Sequence, residues 1–576
     1  MDQEKRLLLA FVLSFAVLML WRALFPPPPL PQNALPAKAK TNPVQQAPAP
    51  AAPSPAPVSL SIEQGSKEEE IVIEGDLYQV TLSTQGAVVK SWVLKKYLDE
   101  NDRPLDVVNG LACQALGFPM SLVVSSANGG MPDRALSAKL NSALYVTEPS
   151  GTSLRAPVKV DLTYSDGTVQ ARKQFTFGKG YEVRVETSVF DGQHYLPIGA
   201  AWPGGFGDSS LTMKEREARS RAVYAPPGEK AVVVPQTKVS EDRIIPGPFA
   251  FAGLEDRFFV AIFFPASPDL VAFGINRQTW TPPDWKEKEL PKPLGAMLGN
   301  AQPKPLDFRL FVAPKDLDVL QTARPPLDGL VDFGWFTIVA RPLFLALRYA
   351  YHHWIHNWGW AIVTLTLLIN LGMFPLKLKS IRSAQEMQRV APLVKSIQDK
   401  YKQYKFNDPR KQRMNEEVMK LYKEHNINPL GGCLPMVLQL PILYGFYRVL
   451  DLAIELRHAP WMWIKDLSAP DRTHLFGLPL PILPTAIIIT TFILQRMTPV
   501  ATADPSQQRM MMIMPIFFGF IFFSLAAGLN LYYMTANIVG IAQQMLLNRM
   551  VPRTPPPPPP SGRAKPQLRN GVSVNR

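Results

Sequence analysis

Cysteine is nearly absent from this chain of 576 residues, which has only two. Cys113 and Cys433 lie in different segments, so they form neither a disulfide framework nor a metal quartet. Two unpaired structural thiols are expected. HExxH, CxxC and glycine-rich phosphate motifs are also missing, as is any Walker-type sequence. These absences remove zinc hydrolysis, dithiol redox chemistry and nucleotide-driven work. No catalytic residue, cofactor or metal ligand is expected, and the chain reads as a non-enzyme.

Acidic residues are missing from particular places. The tail after Asn548 carries Arg549, Arg553, Arg563, Lys565, Arg569 and Arg576 and no acid. The formal net charge is +14. A basic balance suits nucleic acid, anionic lipid or ribosomes. Here the basic residues cluster beside apolar runs, so the membrane comes first and DNA is not an expected partner.

A helix needs about 20 apolar residues to cross the hydrocarbon core. Leu7 to Phe25 is followed by Pro26 to Pro29 rather than by a small-residue cleavage site, which reads as an uncleaved signal anchor (1–25). Trp358 to Leu376, Pro429 to Tyr447 and Leu475 to Gln495 supply three more spans. Met510 to Asn548 is uncharged and long enough for two, turning at Gly528, Leu529 and Asn530. Six spans place both termini on one side. The loop from Lys377 to Asn426 holds thirteen Lys and Arg against six Asp and Glu, so that side is the cytoplasm. The location read is an inner membrane, with the large domain on the side away from the cytoplasm.

Residues 26–57 hold twelve prolines and form an extended tether. Residues 58–326 read as an all-β sandwich outside the membrane, with short strands at Ile71 to Ile73, Tyr78 to Leu82, Val158 to Leu162, Tyr181 to Val189, Ala231 to Val234 and Phe258 to Phe264. Asp161, Asp166, Glu182 and Glu186 are solvated strand faces rather than a catalytic pair. Residues 327–356, broken by Asp332, Arg341, Pro342 and Arg348, read as amphipathic helices along the membrane surface. Trp335, Trp354, Trp358 and Trp360 fit an interfacial belt. The core is 357–548. Its cytoplasmic hairpin (377–428) has a seam of Met387, Val390, Val394, Ile397, Tyr401, Met414, Val418 and Leu421, broken at Asn407, Asp408 and Pro409. Its basic exterior suits either bare solvation or ribosomal RNA and lipid headgroups. Residues 549–576 form a basic, proline-rich tail.

Polar side chains inside spans are costly, so each is a functional candidate. At ~1.5 Å per residue, Asn370 sits ~18 Å into the second span, one turn beyond Thr366 on the same face. Gln439 lies ~15 Å into the third. Tyr533, Asn537 and Gln544, spaced by four and seven, form one stripe on the sixth. If these faces converge, they line a polar groove open to the inner leaflet; the competing reading is ordinary interhelical hydrogen bonding. Such a groove would lower the barrier to a charged side chain at mid-bilayer, about 2.5–3.5 kcal/mol. Burial of the substrate's apolar flank, at about 0.8 kcal/mol per CH₂, would drive the step.

The motifs Asn357-Trp358-Gly359, Met373-Phe374-Pro375-Leu376, Asn428-Pro429-Leu430-Gly431-Gly432-Cys433 and Gln439-Leu440-Pro441-Ile442 follow one another. Leu456-Arg457-His458-Ala459-Pro460, Asp504-Pro505-Ser506-Gln507-Gln508 and Gly528-Leu529-Asn530-Leu531-Tyr532-Tyr533 come next. In this order and spacing the chain resembles the YidC family of membrane protein insertases, in its Gram-negative six-span form. The resemblance implies a periplasmic β-super-sandwich, a five-helix insertase core with an inner-leaflet groove, and a role in inserting and folding nascent membrane proteins, alone or with the Sec translocon. It places Thr366, Gln439, Tyr533 and Asn537 at groove positions. Asn370 stands where the family commonly has arginine, so that fixed charge is missing here. Lys377, two turns on, is expected to lie too deep to replace it, and Arg448 to snorkel at the outer surface. A solute transporter would need inverted repeats or an intramembrane acid, and a sugar-processing enzyme a carboxylate or histidine constellation; neither pattern is present.

Overall fold

The computed structural model describes residues 60–550 apart from 126–131, 284, 287, 301, 335–336, 405–407, 426, 428–433, 474–480, 499–512, 514 and 517–518. The expected anchor, tether and far tail, Trp335, Cys433, and the motifs at 428–433 and 504–508 lie outside the described residues. Contacts divide the chain into two compact units, which part between Asp332 and Phe333.

The first unit is built of three mainly antiparallel sheets, with one parallel pair between Glu70–Glu74 and Ser153–Arg155. One has ten strands and two have five. All six runs expected as strands are strands: Glu70–Glu74, Tyr78–Ser83, Val158–Asp166, Glu182–Phe190, Val232–Pro235 and Phe259–Pro265. From Lys159 to Tyr164 burial alternates, with Val160, Leu162 and Tyr164 inward and Lys159, Asp161 and Thr163 less so, and Ser165 is buried as well. That is the period of a half-buried sheet. Phe259–Pro265 lies between two other strands of the large sheet and is buried throughout, so it reads as an unbroken apolar run. The unit is not all-β, however. Short helices occupy Gly110–Leu116, Arg134–Ser142, Met213–Arg219 and Leu317–Thr322. Each starts at a residue whose side chain accepts from the first turn: Asn109, Asp133, Thr212 and Asp316. Those caps were readable, but the helices are too short to show a 3.6-residue period.

The second unit is helical: α1 (Thr337–Ala350), α2 (Trp358–Gly372), α3 (Phe374–Lys400), α4 (Pro409–Glu424), α5 (Leu434–Leu452), α6 (Ile482–Met497) and α7 (Ala527–Met550). α1 buries Ala340, Phe344 and Leu347 and exposes Ile338 and Leu345, as an amphipathic helix does. Asn357 caps α2, accepting from the Trp360 backbone at 3.1 Å, and donates to the Pro460 carbonyl at 3.1 Å. Gly359 lies so close to Trp461 that a Cβ there would meet the ring at 2.2 Å. These two contacts explain the local motif physically.

α2 and α3 meet at Met373 with a bend of 53°. Pro375 lacks an amide hydrogen and sits in the first turn of α3, where a helix tolerates it best. Among the described residues no helix is by itself long and apolar enough to cross a membrane; α2 with α3 qualifies as a bent pair, and α6 is a shorter apolar helix. The expected second span therefore ends as a straight helix at Gly372. The starts of the expected third and fourth spans, and much of the fifth, fall outside the described residues.

The expected turn at Gly528 to Asn530 lies slightly earlier. α7 already begins at Ala527, and the break covers residues 523–526. Asn530, fully buried, donates through Nδ2 to the carbonyls of Phe522 at 3.0 Å and Leu525 at 3.5 Å. Its amide caps the chain it leaves rather than forming the turn. The hairpin of α3 and α4 follows its expected seam: Met387, Val390, Val394 and Ile427 form a core against Val418, Leu421 and Tyr422. Asp408 accepts from the Arg410 amide to start α4, and Pro409 holds the first helical position.

Candidate functional site

The expected polar residues of the helical unit fall into separate hydrogen-bonded sets. On α2, Thr366 and Asn370 are buried. Thr366 Oγ1 donates to the Ile362 carbonyl at 2.7 Å, and Asn370 Nδ2 to the Thr366 carbonyl at 2.8 Å. Both satisfy themselves one turn back along their own helix, as short polar side chains do where water is scarce.

The remaining groups of Asn370 face its neighbours. Lys377 Nζ, in the first turn of α3, donates to Asn370 Oδ1 at 2.6 Å and to Gln543 Oε1 of α7 at 3.3 Å. Gln543 Nε2 donates to the Asn370 carbonyl at 3.1 Å. The expectation that Lys377 lies too deep is therefore corrected. Helical side chains lean toward the N-terminus, and a lysine stem is long, so the ammonium sits well back from its own Cα. Seven residues also make two near-complete turns, which keeps Asn370 and Lys377 on one side across the bend.

Gln439 on α5 donates to the Tyr532 hydroxyl at 2.7 Å, and the Tyr532 ring stacks on Phe446 with centroids 4.2 Å apart. Asn537 Nδ2 donates to Thr490 Oγ1 at 3.1 Å and Thr491 Oγ1 at 2.8 Å on α6. Tyr533 lies against Phe522, 4.7 Å between centroids. Gln544 donates to Asn548 on its own helix at 2.9 Å. Asn370 is thus joined to Lys377 and Gln543, while Gln439 and Asn537 each tie α7 to a different helix.

The sequence reading overlooked Gln543, Tyr532, Thr490 and Thr491. Which of the adjacent residues Gln543 and Gln544 meets α2 depends on how α7 is rotated against it, and no local pattern records that. Arg448 is not simply a snorkelling side chain, since it pairs with Asp451 at 3.5 Å.

In the first unit the carboxylates expected to be structural all have cationic partners. Asp161 meets Arg172 at 2.8 Å, Glu182 meets Arg309 at 3.0 Å, Glu186 meets Arg184 at 3.0 Å, and Asp166 pairs with Lys139. Burial pushes the Cys113 thiol up to about 12, so it stays protonated as a small apolar core group. Among the described residues no group of His, Cys, Asp and Glu could hold a metal ion.

Two family models match the chain: "60Kd inner membrane protein" over residues 350–554, and "YidC periplasmic domain" over 70–196 and 230–346. A protein of Pelobacter propionicus named "Membrane protein insertase YidC" is 30% identical over 562 residues, covering 95% of this chain and 99% of its own. A protein of the same name from Citrifermentans bemidjiense is 32% identical over 567 residues, with the same coverage of 95% and 99%. A solved structure described as an active YidC insertase with its first transmembrane domain is similar at 18% identity and a TM-score of 0.34, covering 84% of this chain and 94% of that one.

Proposed function

The chain belongs to the YidC family of membrane protein insertases, and from that premise we propose that it inserts and folds other membrane proteins, a task that needs no enzyme chemistry. Its substrates would be nascent membrane proteins, received alone or with the Sec translocon and handed into lipid. The observation that carries this reading is the match to named insertases along nearly the whole chain.

The step itself we assign to the polar faces of α2, α5 and α7. Thr366, Asn370, Gln439, Tyr533, Asn537 and Gln544 would hold a hydrophilic loop in the inner half of the membrane while its apolar flank enters lipid. The burial pattern supports this unevenly. Asn370 and Asn537 are occupied in bonds between helices, which also suits packing. Tyr533, half-buried and held by a ring contact, has a hydroxyl suited to a passing chain. Ribosomes would dock on the basic hairpin and tail, and anionic lipid beside them. Both termini would be cytoplasmic, with six spans between.

Depletion and complementation test the reading. The wild-type chain should restore insertion of small membrane proteins with short translocated loops. Replacing Thr366 and Tyr533 together by leucine should lower it about tenfold, because two helices lose their polar surface. Insertion equal to wild type would reduce these residues to packing and remove the groove.

A further inference from the structure

The β unit has a pocket of about 300 Å³, part of it open to solvent. A space of this size lies at the lower end for small-ligand sites. Its apolar wall is made of Phe206, Pro291, Pro293 and Leu294. Trp202 backs Phe206 in a T-shaped contact, 5.5 Å between ring centroids, and is itself held by its Nε1, which donates to the Gly205 carbonyl at 3.0 Å. The polar wall is made of Arg216, Glu217, Ser220 and Gln236. All of these residues belong to the β unit, and the insertion step assigned to α2, α5 and α7 uses none of them.

Gln236 is the feature that packing leaves incomplete. It is 2% exposed. Its backbone N–H donates to the Ser220 carbonyl at 3.1 Å, and its carbonyl accepts from Arg277 Nη1 at 3.2 Å. Its Nε2 donates to the Lys292 carbonyl at 2.9 Å, while Oε1 has no hydrogen-bond partner among the described residues. Reversing the amide would set Oε1 against the Lys292 carbonyl, so the bond of Nε2 fixes which atom is the acceptor. A buried acceptor without a donor costs about 1–3 kcal/mol. Ser220 Oγ adds a second acceptor, because its own proton goes to the Arg216 carbonyl at 2.8 Å. Burial lowers the pKa of Arg216, and the carboxylates of Asp208 and Glu217 oppose that shift. One guanidinium beside two carboxylates leaves no surplus positive charge to recruit an anion.

We propose that this pocket binds a neutral sugar ring, with Phe206 and the two prolines against its C–H face and Gln236 Oε1 taking a hydroxyl proton from its rim. A pyranose has these two aspects: C–H groups on a face, hydroxyls around the edge. A hydroxyl also both donates and accepts, so one that donates to Gln236 or Ser220 can accept from the five-donor guanidinium of Arg216. An extended peptide fits less well, because its successive residues point to opposite sides and one donor at a time meets this wall. The ring is either a free sugar or the end residue of a glycan. The pocket binds without converting its ligand. The proposal goes beyond the insertase reading and does not depend on it.

The test uses the full-length protein in a detergent without a sugar headgroup, with ligand-observed NMR as the readout. The probes are glucose, galactose, N-acetylglucosamine and the β-1,4 disaccharide of the last. At least one should bind with a Kd of about 1 mM. Tighter binding of the disaccharide than of N-acetylglucosamine assigns the pocket to the end of a glycan; equal or weaker binding assigns it to a free sugar. Gln236→Leu should weaken binding about tenfold, the worth of one hydrogen bond to a buried acceptor. Because that change also takes the donor from the Lys292 carbonyl, Ser220→Leu serves as the second variant: it fills the space, leaves the side chain of Gln236 in place, and should abolish binding at an unchanged melting temperature. Glycerol, which has hydroxyls but no ring face, should bind at least tenfold more weakly than the sugar. No saturable binding of any of the four sugars overturns the proposal, as does binding that both variants leave intact. Displacement of the sugar by an equal concentration of trialanine overturns it too and gives the pocket to peptide. Loss of insertion in the wild type would overturn the insertase reading and leave this result standing.

Discussion

The two units each bury a lysine among oxygens, and they do so differently. Lys173, in the strand Gln170–Phe177 of the β unit, is 1% exposed and donates to three backbone carbonyls: Gly86 at 2.6 Å, Ala87 at 3.0 Å and Met120 at 2.7 Å. Three protons meet three acceptors, and nothing remains for a ligand. Lys377 meets two acceptors, both on side chains that are themselves held. Backbone carbonyls at a turn and a strand start cannot be rearranged without moving the sheet. A lysine held by them is a fastener. A lysine held by side-chain amides keeps capacity for another partner.

The strongest way to break this contrast is to remove the fastener. Lys173→Met leaves three carbonyls buried without donors, at about 1–3 kcal/mol each. We expect the β unit to lose about 4 kcal/mol in urea unfolding, near the low end of that sum because the cost of burying the ammonium is removed with it. Lys377→Met, by comparison, should change the unfolding midpoint little. The lysines should also differ in pH response. Burial pushes Lys173 down to about 7 from the usual lysine value, although its three carbonyls favour the charged form. Its unfolded state therefore binds more protons between about pH 7 and the ordinary lysine range. Wild-type stability should rise with pH through that window and be flat below it, and Lys173→Met should abolish the rise. A wild-type profile identical to that of the variant would mean the carbonyls cancel the burial.

A second break addresses the helical unit at its tightest point. At Gly359 an added Cβ would lie 2.2 Å from Trp461 Cδ1 and 2.3 Å from Cγ. Trp461 has little room to yield, being buried and flanked by Trp360 at 5.6 Å and Trp463 at 5.5 Å between ring centroids. Gly359→Ala should cost about 2 kcal/mol by overpacking, read as a lower melting temperature of the detergent-solubilised protein. The same change at Gly372, where nothing lies within 4 Å of the added atom, should be neutral or slightly stabilising.

How legible these features were depends on their range. The alternation in Val158–Asp166 and the seam of Met387, Val390 and Val394 are local, and both elements formed where the pattern put them. The caps Asn357 and Asp408 were readable for the same reason. Asn530 was read as a turn residue, because its target carbonyls lie five and eight residues back and only the packed chain shows that reach. Lys377 was misplaced by counting depth at Cα, when its stem carries the charge back toward Asn370. Gln543 could not be chosen over Gln544 without the rotation of α7, which is set by contacts across the bundle.

The smallest expected effect tests whether the polar residues of α7 differ among themselves as the two lysines do. Asn537 has its amide shared between Thr490 Oγ1 and Thr491 Oγ1 on α6, both within 3.1 Å. Thr490 Oγ1 in turn donates to the Ala486 carbonyl at 2.7 Å, so its own proton stays on the helix when Asn537 is removed. The loss is then one shared interhelical bond with no orphaned donor, and such bonds between membrane helices average about 0.6 kcal/mol. Asn537→Ala should therefore lower the melting temperature by a degree or two at most. Gln543→Leu should cost more, about 1 kcal/mol, because Lys377 loses one of its two acceptors and the Asn370 carbonyl its donor. If Asn537→Ala lowers the melting temperature as much as Gln543→Leu, the contacts around Lys377 hold α7 no more firmly than an ordinary shared amide bond.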